Sequence, residues 1–353
     1  MNEKHTFKEI GFLVHTAELF VHFGPVWEKL GLDAFQIVVA GSPFENQRIL
    51  GLAKNNSISY VLVNDVITSG YHYPVMVSNH SLAEYAGKSL VSIIGIHQIR
   101  FMYALGKGRH NFADWNRCYD IILCFGPYQV ERLKFCEDTI KIQMGYPRYD
   151  KYFSMQIDED AFLKQLGCDP GKETILWLPT WKDLSSIDLY ADQLSKLSGE
   201  YNIIAKTHPL SLEAEPHKIE RLTEMPFTAV ISNVFDNAYL YKVSDYVLCD
   251  YGGPLFGALY LDKNLLLLNI PNPGNDELAG DESPDILVRK DIVNIDPDDA
   301  CNLGKILENK ALWEEQKAVR QDMRKTFFAP HYGFSSEVAA LAIKNAGTII
   351  NAC

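Results

Sequence analysis

Three short stretches in the second half of the chain combine groups suited to holding a phosphate. They are Pro179-Thr180-Trp181-Lys182, Lys206-Thr207-His208-Pro209 and Asp250-Tyr251-Gly252-Gly253, the last followed by Pro254. Lysine supplies positive charge. Histidine gives or takes a proton near neutral pH. Bare glycines let a ligand approach the backbone. Pro254 suits the first position of a helix, and LFGALYL behind it reads as an apolar helix start. Backbone N–H groups at a helix N-terminus, reinforced by the macrodipole, bind phosphate. A tight turn with no ligand explains the two glycines equally well. In the first half, His15 and His97 each follow an apolar run, with His97 between IIGI and QIR at the end of a strand read over Leu90–Ile96. A lone histidine is more often structural than catalytic, and His15, His22, His72 and His80 carry that reading first. The chain has no GxGxxG, Walker A, HExxH or GxSxG pattern. Nicotinamide dinucleotide, P-loop, zinc-protease and serine-hydrolase chemistry are therefore not indicated.

These groups share a position: each comes directly after a strand. Strands read near Ile10–Val14, Phe35–Ala40, Tyr60–Val63, Val75–Val77, Leu90–Ile96, Ile121–Phe125 and Lys141–Gln143, with helices such as Leu19–Leu30 between most of them. A second series reads near Thr174–Leu178, Asn202–Ala205, Thr228–Ile231, Tyr246–Cys249 and Leu265–Leu268. Continuous apolar strands alternating with helices indicate parallel α/β sheets buried on both faces. Two series predict two doubly wound domains, joined near the polar stretch Asp150–Gly171. The expected division is an N-terminal Rossmann-like domain over residues 1–155 and a nucleotide-donor domain over 156–330. A C-terminal helix over 331–353 would cross back to the first domain. In such sheets ligands bind outside the carboxyl ends of the strands.

Composition limits the partners. The 353 residues carry 33 Lys plus Arg against 45 Asp plus Glu, a net charge of −12, which argues against a protein that coats nucleic acid. Seven cysteines without a CxxC pair exclude a disulfide framework and a zinc ribbon. Most read as small core residues in a reducing cytoplasm. The N-terminus lacks a signal-peptide pattern, and no apolar run approaches the ~20 residues of a membrane span. The expected location is cytoplasmic, or peripheral at the inner membrane face.

As a set, GYPRYD (Gly145–Asp150), ILWLPTWK (Ile175–Lys182), KTHP (Lys206–Pro209) and the stretch Ser244–Asn269 resemble the CDP-glycerol glycerophosphotransferase family. This family contains the teichoic-acid primases and polymerases. The resemblance implies a GT-B-like fold, with two Rossmann-like doubly wound parallel-sheet domains facing across a cleft. It implies transfer of an alditol phosphate from a CDP-alditol to a hydroxyl acceptor, with release of CMP, in teichoic-acid-like or capsular polysaccharide synthesis. By motif, His97 corresponds to the family's proposed base and His208 to the histidine of KxHP. Arg148, Lys182, Lys206, Asp250, Gly252 and Gly253 fall to the donor phosphates. Pro179, Thr180 and Trp181 fall to the nucleotide pocket, and His15 and Arg100 to the acceptor side. The implied partners are a nucleotide-activated donor and a hydroxyl acceptor, such as a lipid-linked saccharide. No cofactor is required, and Mg²⁺ on the pyrophosphate stays open. Two departures stand out: the family's HGTP reads His97-Gln98-Ile99-Arg100 here, and two serines of the TDYSS block are glycines. The competing readings are a sugar-nucleotide glycosyltransferase or UDP-sugar 2-epimerase of the same fold, and a catalytically silent scaffold module.

Overall fold

The computed structural model describes residues 6–82, 84, 85 and 87–352. The chain folds as two compact units. Unit one contains the residues up to 103, 112–150 and those from 327 onward; unit two contains 104–111 and 151–326. The chain therefore visits unit two once, for eight residues, before entering it again at Lys151 and returning to unit one at Phe327. The stretch after Asp150, read as a polar join, forms short helices over Asp150–Ser154 and Glu159–Gln165.

Unit one is built on β1 (Ile10–Val14), β2 (Phe35–Val39), β3 (Tyr60–Leu62), β4 (Tyr73–Ser78), β5 (Gly95–Phe101), β6 (Ile121–Cys124) and β7 (Ile140–Gln143). Their order is β3-β2-β1-β4-β5-β6-β7, every pairing parallel. Strand order reverses between β1 and β4, which makes that gap the switch point of the sheet. Helix α1 (Leu19–Leu30) buries Leu19, Phe23, Val26, Trp27 and Leu30, a helical repeat on one face. The rings of Phe23, Trp27 and Phe35 pack edge-on against Phe12 of β1 at 5.2–5.7 Å. The chain end is tied back by the Ala329 N–H to the Phe125 carbonyl, and by Ser335 and Ser336 N–H groups to the buried Asp150 carboxylate.

One strand differs from the sequence reading. The apolar run Leu90–Ile96 is not a strand: Leu90–Ile94 forms a short helix, α2, and β5 begins only at Gly95. Ser89 caps α2 by accepting the Ser92 N–H. A short apolar run fits a buried strand and a buried helix equally well, so periodicity alone could not decide.

Unit two is built on β8 (Thr174–Leu178), β9 (Asn202–Lys206), β10 (Ala229–Ile231), β11 (Tyr246–Cys249), β12 (Asn264–Leu268) and β13 (Asn294–Ile295). The order is β10-β9-β8-β11-β12-β13, again wholly parallel. Here the reversal lies between β8 and β11. Trp177, Tyr190, Tyr246, Leu266 and Trp313 are among the side chains of its closed core. Helix α3 (Gly253–Tyr260) follows β11, with Pro254 in its first turn. Cys124, Cys136, Cys168 and Cys249 are buried, Cys301 is exposed, and Cys353 lies outside the described residues. No helix among the described residues is long and apolar enough to cross a membrane.

Candidate functional site

The three phosphate-compatible stretches of unit two leave the carboxyl ends of three adjacent strands, β9, β8 and β11. PTWK and DYGG flank the switch point itself. Asp250 joins them. Its fully buried carboxylate accepts the Thr180 N–H at 2.8 and 3.0 Å, the Ser186 N–H at 2.8 Å, the Ser186 hydroxyl at 2.9 Å and its neighbour Tyr251 N–H at 2.8 Å. Burial pushes the carboxyl pKa up to about 6, against the pull of these donors. Asp250, expected to serve the donor phosphates, has its carboxylate engaged by these protein donors. Its side chain is an internal brace that sets where Trp181 and Lys182 emerge. Pro179 and Thr180 are likewise buried, inside the turn rather than on its surface.

The two glycines do different things. Gly252 has φ +99°, a conformation that only glycine adopts without strain. Its N–H donates to the buried Asp285 carboxylate at 2.9 Å, so this amide is already occupied. Asp285 also takes the Ser283 hydroxyl. A Cβ on Gly253 would meet nothing within 4 Å. The open face at the start of α3 therefore belongs to Gly253 and to the first-turn N–H groups behind it.

Trp181 is the centre of a cationic cluster. The His208 ring stacks on it at 5.6 Å with 15° between the planes. The Lys182 ammonium lies 4.3 Å from its ring centroid and that of Lys107 5.7 Å. Lys182 sits at φ +57°, and its N–H donates to Glu215 Oε2 at 2.9 Å. His208 Nδ1 accepts the Leu210 N–H at 3.2 Å, which leaves the proton of the neutral ring on Nε2. Lys206 is buried, and its ammonium donates to the Thr207 carbonyl at 2.7 Å. Two residues here escaped the sequence reading. Lys107 lies in LGKG, a glycine-flanked lysine after a strand, which was a usable signal. Arg289 had none: its guanidinium lies 3.9 Å from the Tyr251 ring centroid, donates to Asn269 Oδ1 at 2.6 Å and reaches the Asp250 carbonyl.

In unit one, the switch point between β1 and β4 carries His15 and Asn79. His15 Nε2 and Asn79 Oδ1 are 3.2 Å apart. Burial lowers the His15 pKa, partly offset by Asn79 and by the charge of Glu45. Arg148 stands after β7, where its Nη1 donates to His22 Nε2 at 3.0 Å and lies 3.8 Å from Glu18. His22 is packed edge-on against Tyr103, and burial, with Arg148 beside it, holds its pKa down to about 4. It is neutral at any physiological pH and acts as an acceptor for the guanidinium. Glu18 and His22, one helical turn apart, and Tyr103 join Arg148 only through the fold, since all three lie far from it in the chain.

Arg100 and His97, both expected in the site, lie on the same strand, β5. Arg100 was expected on the acceptor side. It is fully buried, donates to Asn116 and stacks 4.2 Å from the Trp115 ring centroid. His97 was expected at a strand's end. It is the third residue of β5, paired with Val75, and the strand continues to Phe101. It therefore stands in the amino half of the strand, away from the carboxyl edge that carries His15 and Asn79. Its Nε2 lies 3.9 Å from where a Cβ on Gly347 would be. Among the described residues, no group of three His, Cys, Asp or Glu side chains is placed to hold a metal ion.

Comparison with known proteins agrees with the motif reading. Residues 129–268 match the family model described as CDP-Glycerol:Poly(glycerophosphate) glycerophosphotransferase. The match spans GYPRYD, PTWK, KTHP and DYGG and begins downstream of His97. The chain is 26% identical over 166 residues to a teichoic acid poly(glycerol phosphate) polymerase of Staphylococcus epidermidis, covering 42% of this chain and 22% of that one. It is 27% identical over 172 residues to the polymerase of the same name from Bacillus spizizenii, covering 45% and 43%. The matched region thus spans less than half the length of either relative. Among solved structures, the wall teichoic acid polymerase TagF aligns with a TM-score of 0.60 at 16% identity, over 96% of this chain and 89% of that one. Anabaena Alr3699/HepE with UDP-glucose aligns at 0.58 and 13%, over 96% and 99%. A UDP-N-acetylglucosamine 2-epimerase aligns at 0.59 and 11%, over 98% and 97%. The resemblance to the CDP-glycerol glycerophosphotransferase family is borne out, and so is the GT-B-like architecture of two parallel-sheet α/β domains.

Proposed function

We propose that this chain transfers an alditol phosphate, such as glycerol phosphate, from a CDP-alditol to a hydroxyl acceptor and releases CMP. One observation carries the reading. Lys182 and His208 on Trp181 and the glycine-opened helix meet at the switch point of unit two, inside the region that matches the family. Unit two holds the donor. Gly253 and the first turn of α3 receive the diphosphate, Lys182 and Lys206 supply positive field, and His208 donates from Nε2. Asp250 and Gly252 shape the turn instead of touching the ligand. Trp181 carries the lysines and His208.

In the reaction the acceptor oxygen bonds to the phosphorus that bears the alditol, and the bond from that phosphorus to the CMP oxygen breaks. Transfer of this kind depends chiefly on positioning and charge stabilisation. The acceptor hydroxyl must lose a proton. By motif His97 would take it, but its place in β5 favours His15. With Asn79 accepting from Nε2–H, His15 Nδ1 keeps its lone pair, and the lowered pKa keeps the ring neutral and competent near pH 7. Arg148, held by His22 and Glu18, is the residue of unit one that the motif assigns to the donor phosphates. The cellular setting that fits is surface-polymer synthesis at the cytoplasmic membrane face, with a lipid-linked saccharide as acceptor.

The test is release of CMP from CDP-glycerol in the presence of a glycerol-phosphate-primed acceptor, with CDP-ribitol and UDP-glucose in parallel. Release of UDP from UDP-glucose with no release of CMP from either CDP-alditol would move the chain to the sugar-nucleotide class.

A further inference from the structure

Residues 104–111 interrupt unit one to pack in unit two. The excursion is pinned at several points. The Gly108 N–H donates to Ser283 Oγ at 2.8 Å, the Arg109 N–H to the Ala279 carbonyl at 3.1 Å and the His110 N–H to the Leu278 carbonyl at 3.1 Å. Asn111 Nδ2 closes it on itself through the Gly106 carbonyl at 2.6 Å. Gly106 lies directly on the DYGG turn: a Cβ there would come within 2.9 Å of Gly252 Cα and 2.7 Å of Asp285 Oδ2. Between these anchors stands Lys107.

Lys107 and Lys182 share two peculiarities. Both hold φ +57°, an uncommon and costly conformation for a long side chain. Both bring an ammonium to the ring of Trp181. Their separation is therefore no more than the two ring distances laid end to end. Two ammonium groups within that distance are bridged by the oxygens of one diphosphate, which accept from both lysines. Gly253, at the open start of α3, belongs to the same turn that Gly106 touches.

We propose that residues 104–111 form a strap of unit two whose Lys107 completes, with Lys182, a two-lysine clamp for a diphosphate. That the diphosphate belongs to a nucleotide rests on the function proposed above; the clamp itself rests on the strap. The clamp recognises the phosphates and not the base, so a nucleoside monophosphate gains little from it.

The experiment is calorimetric titration of the full chain and of Lys107→Gln and Lys107→Arg with inorganic pyrophosphate, CDP-glycerol and CMP. Losing one charge-assisted contact should weaken pyrophosphate and CDP-glycerol binding about tenfold in Lys107→Gln, with CMP changed less than about threefold. Lys107→Arg should restore most of the loss. Gly106→Val, which displaces the strap from the DYGG turn, should mimic Lys107→Gln. Unchanged pyrophosphate and CDP-glycerol affinity in a folded Lys107→Gln chain would overturn the clamp while leaving the nucleotide reading intact. Wild-type binding of pyrophosphate but not of CDP-glycerol or CMP, with the Lys107 effect present, would keep the clamp and remove the nucleotide. A wild-type chain that binds none of the three would overturn both.

Discussion

The two sheets reverse strand order in the same way but furnish their switch points with opposite chemistry. In unit two the side chains joined there are cationic, Lys182 and Lys107 on Trp181, braced from below by the buried carboxylates Asp250 and Asp285. In unit one they are neutral, His15 on Asn79, with His22 held unprotonated beside Arg148. Parallel sheets offer the same geometry at both gaps, so side-chain chemistry decides what each does. A fixed positive field suits a diphosphate. A neutral imidazole with a lone pair suits a hydroxyl about to lose its proton. Although the chain carries a net charge of −12, two of its lysines, from separate segments, are gathered at the single ring of Trp181.

The largest effect should come from breaking the neutral side. His15→Ala should lower turnover about 10²–10⁴-fold with the fold intact, whereas His97→Ala should stay within about threefold of wild type. The reverse ranking, from the same CMP-release assay, would return the base to His97. The acid limb of kcat/KM should lie below the ordinary histidine value of about 6.5, because burial lowers the His15 pKa and protonation removes the base.

Asp250→Ala should come next. It strands the N–H groups of Thr180, Ser186 and Tyr251, and each buried unsatisfied donor costs about 1–3 kcal/mol. Denaturant unfolding should show a loss of about 3 kcal/mol or more. A loss below about 1 kcal/mol would mean the brace is not structural.

The pH response of that brace is subtler. The Asp250 pKa is raised from 3.8 to about 6 in the fold. The native state therefore binds the proton more tightly than the unfolded chain. The contribution is full below about pH 4 and is lost as pH rises through about 6, on the order of 2–3 kcal/mol. Asp250→Asn should lack this component, so the stability difference between wild type and Asp250→Asn should shift against wild type from pH 5 to pH 8. A difference independent of pH would contradict it.

The smallest effect separates the two glycines. Gly252→Ala, at φ +99°, should cost about 1–2 kcal/mol of stability. Gly253→Ala, facing open space, should cost stability little and weaken diphosphate binding instead. Equal stability losses would erase the distinction.

Much of this was legible in the sequence because parallel strands are apolar throughout and their loops are not. The bounds of β1, β8 and α1 are those the apolar runs predict, and PTWK, KTHP and DYGG are recognisable by their place directly after a strand. The rest is three-dimensional. Asp250 looks like a ligand in a string, but only its five hydrogen bonds show that it faces inward. Lys107 belongs by sequence to the first series of strands and by packing to unit two. His97 is misplaced by the sequence because Leu90–Ile94 is apolar enough to pass for the strand it precedes. Cap residues such as Ser89 carry the only local hint.

The most direct measurement is a thermal-shift panel with CMP, CDP-glycerol, UDP and UDP-glucose, since it tests the donor class without knowledge of the acceptor. At 100 times Kd a ligand that binds only the native state adds about 2.7 kcal/mol, which a melting curve resolves readily. CDP-glycerol should raise the melting temperature most, CMP less, and the uridine nucleotides least. Stabilisation by UDP or UDP-glucose without any by CMP or CDP-glycerol would contradict the account.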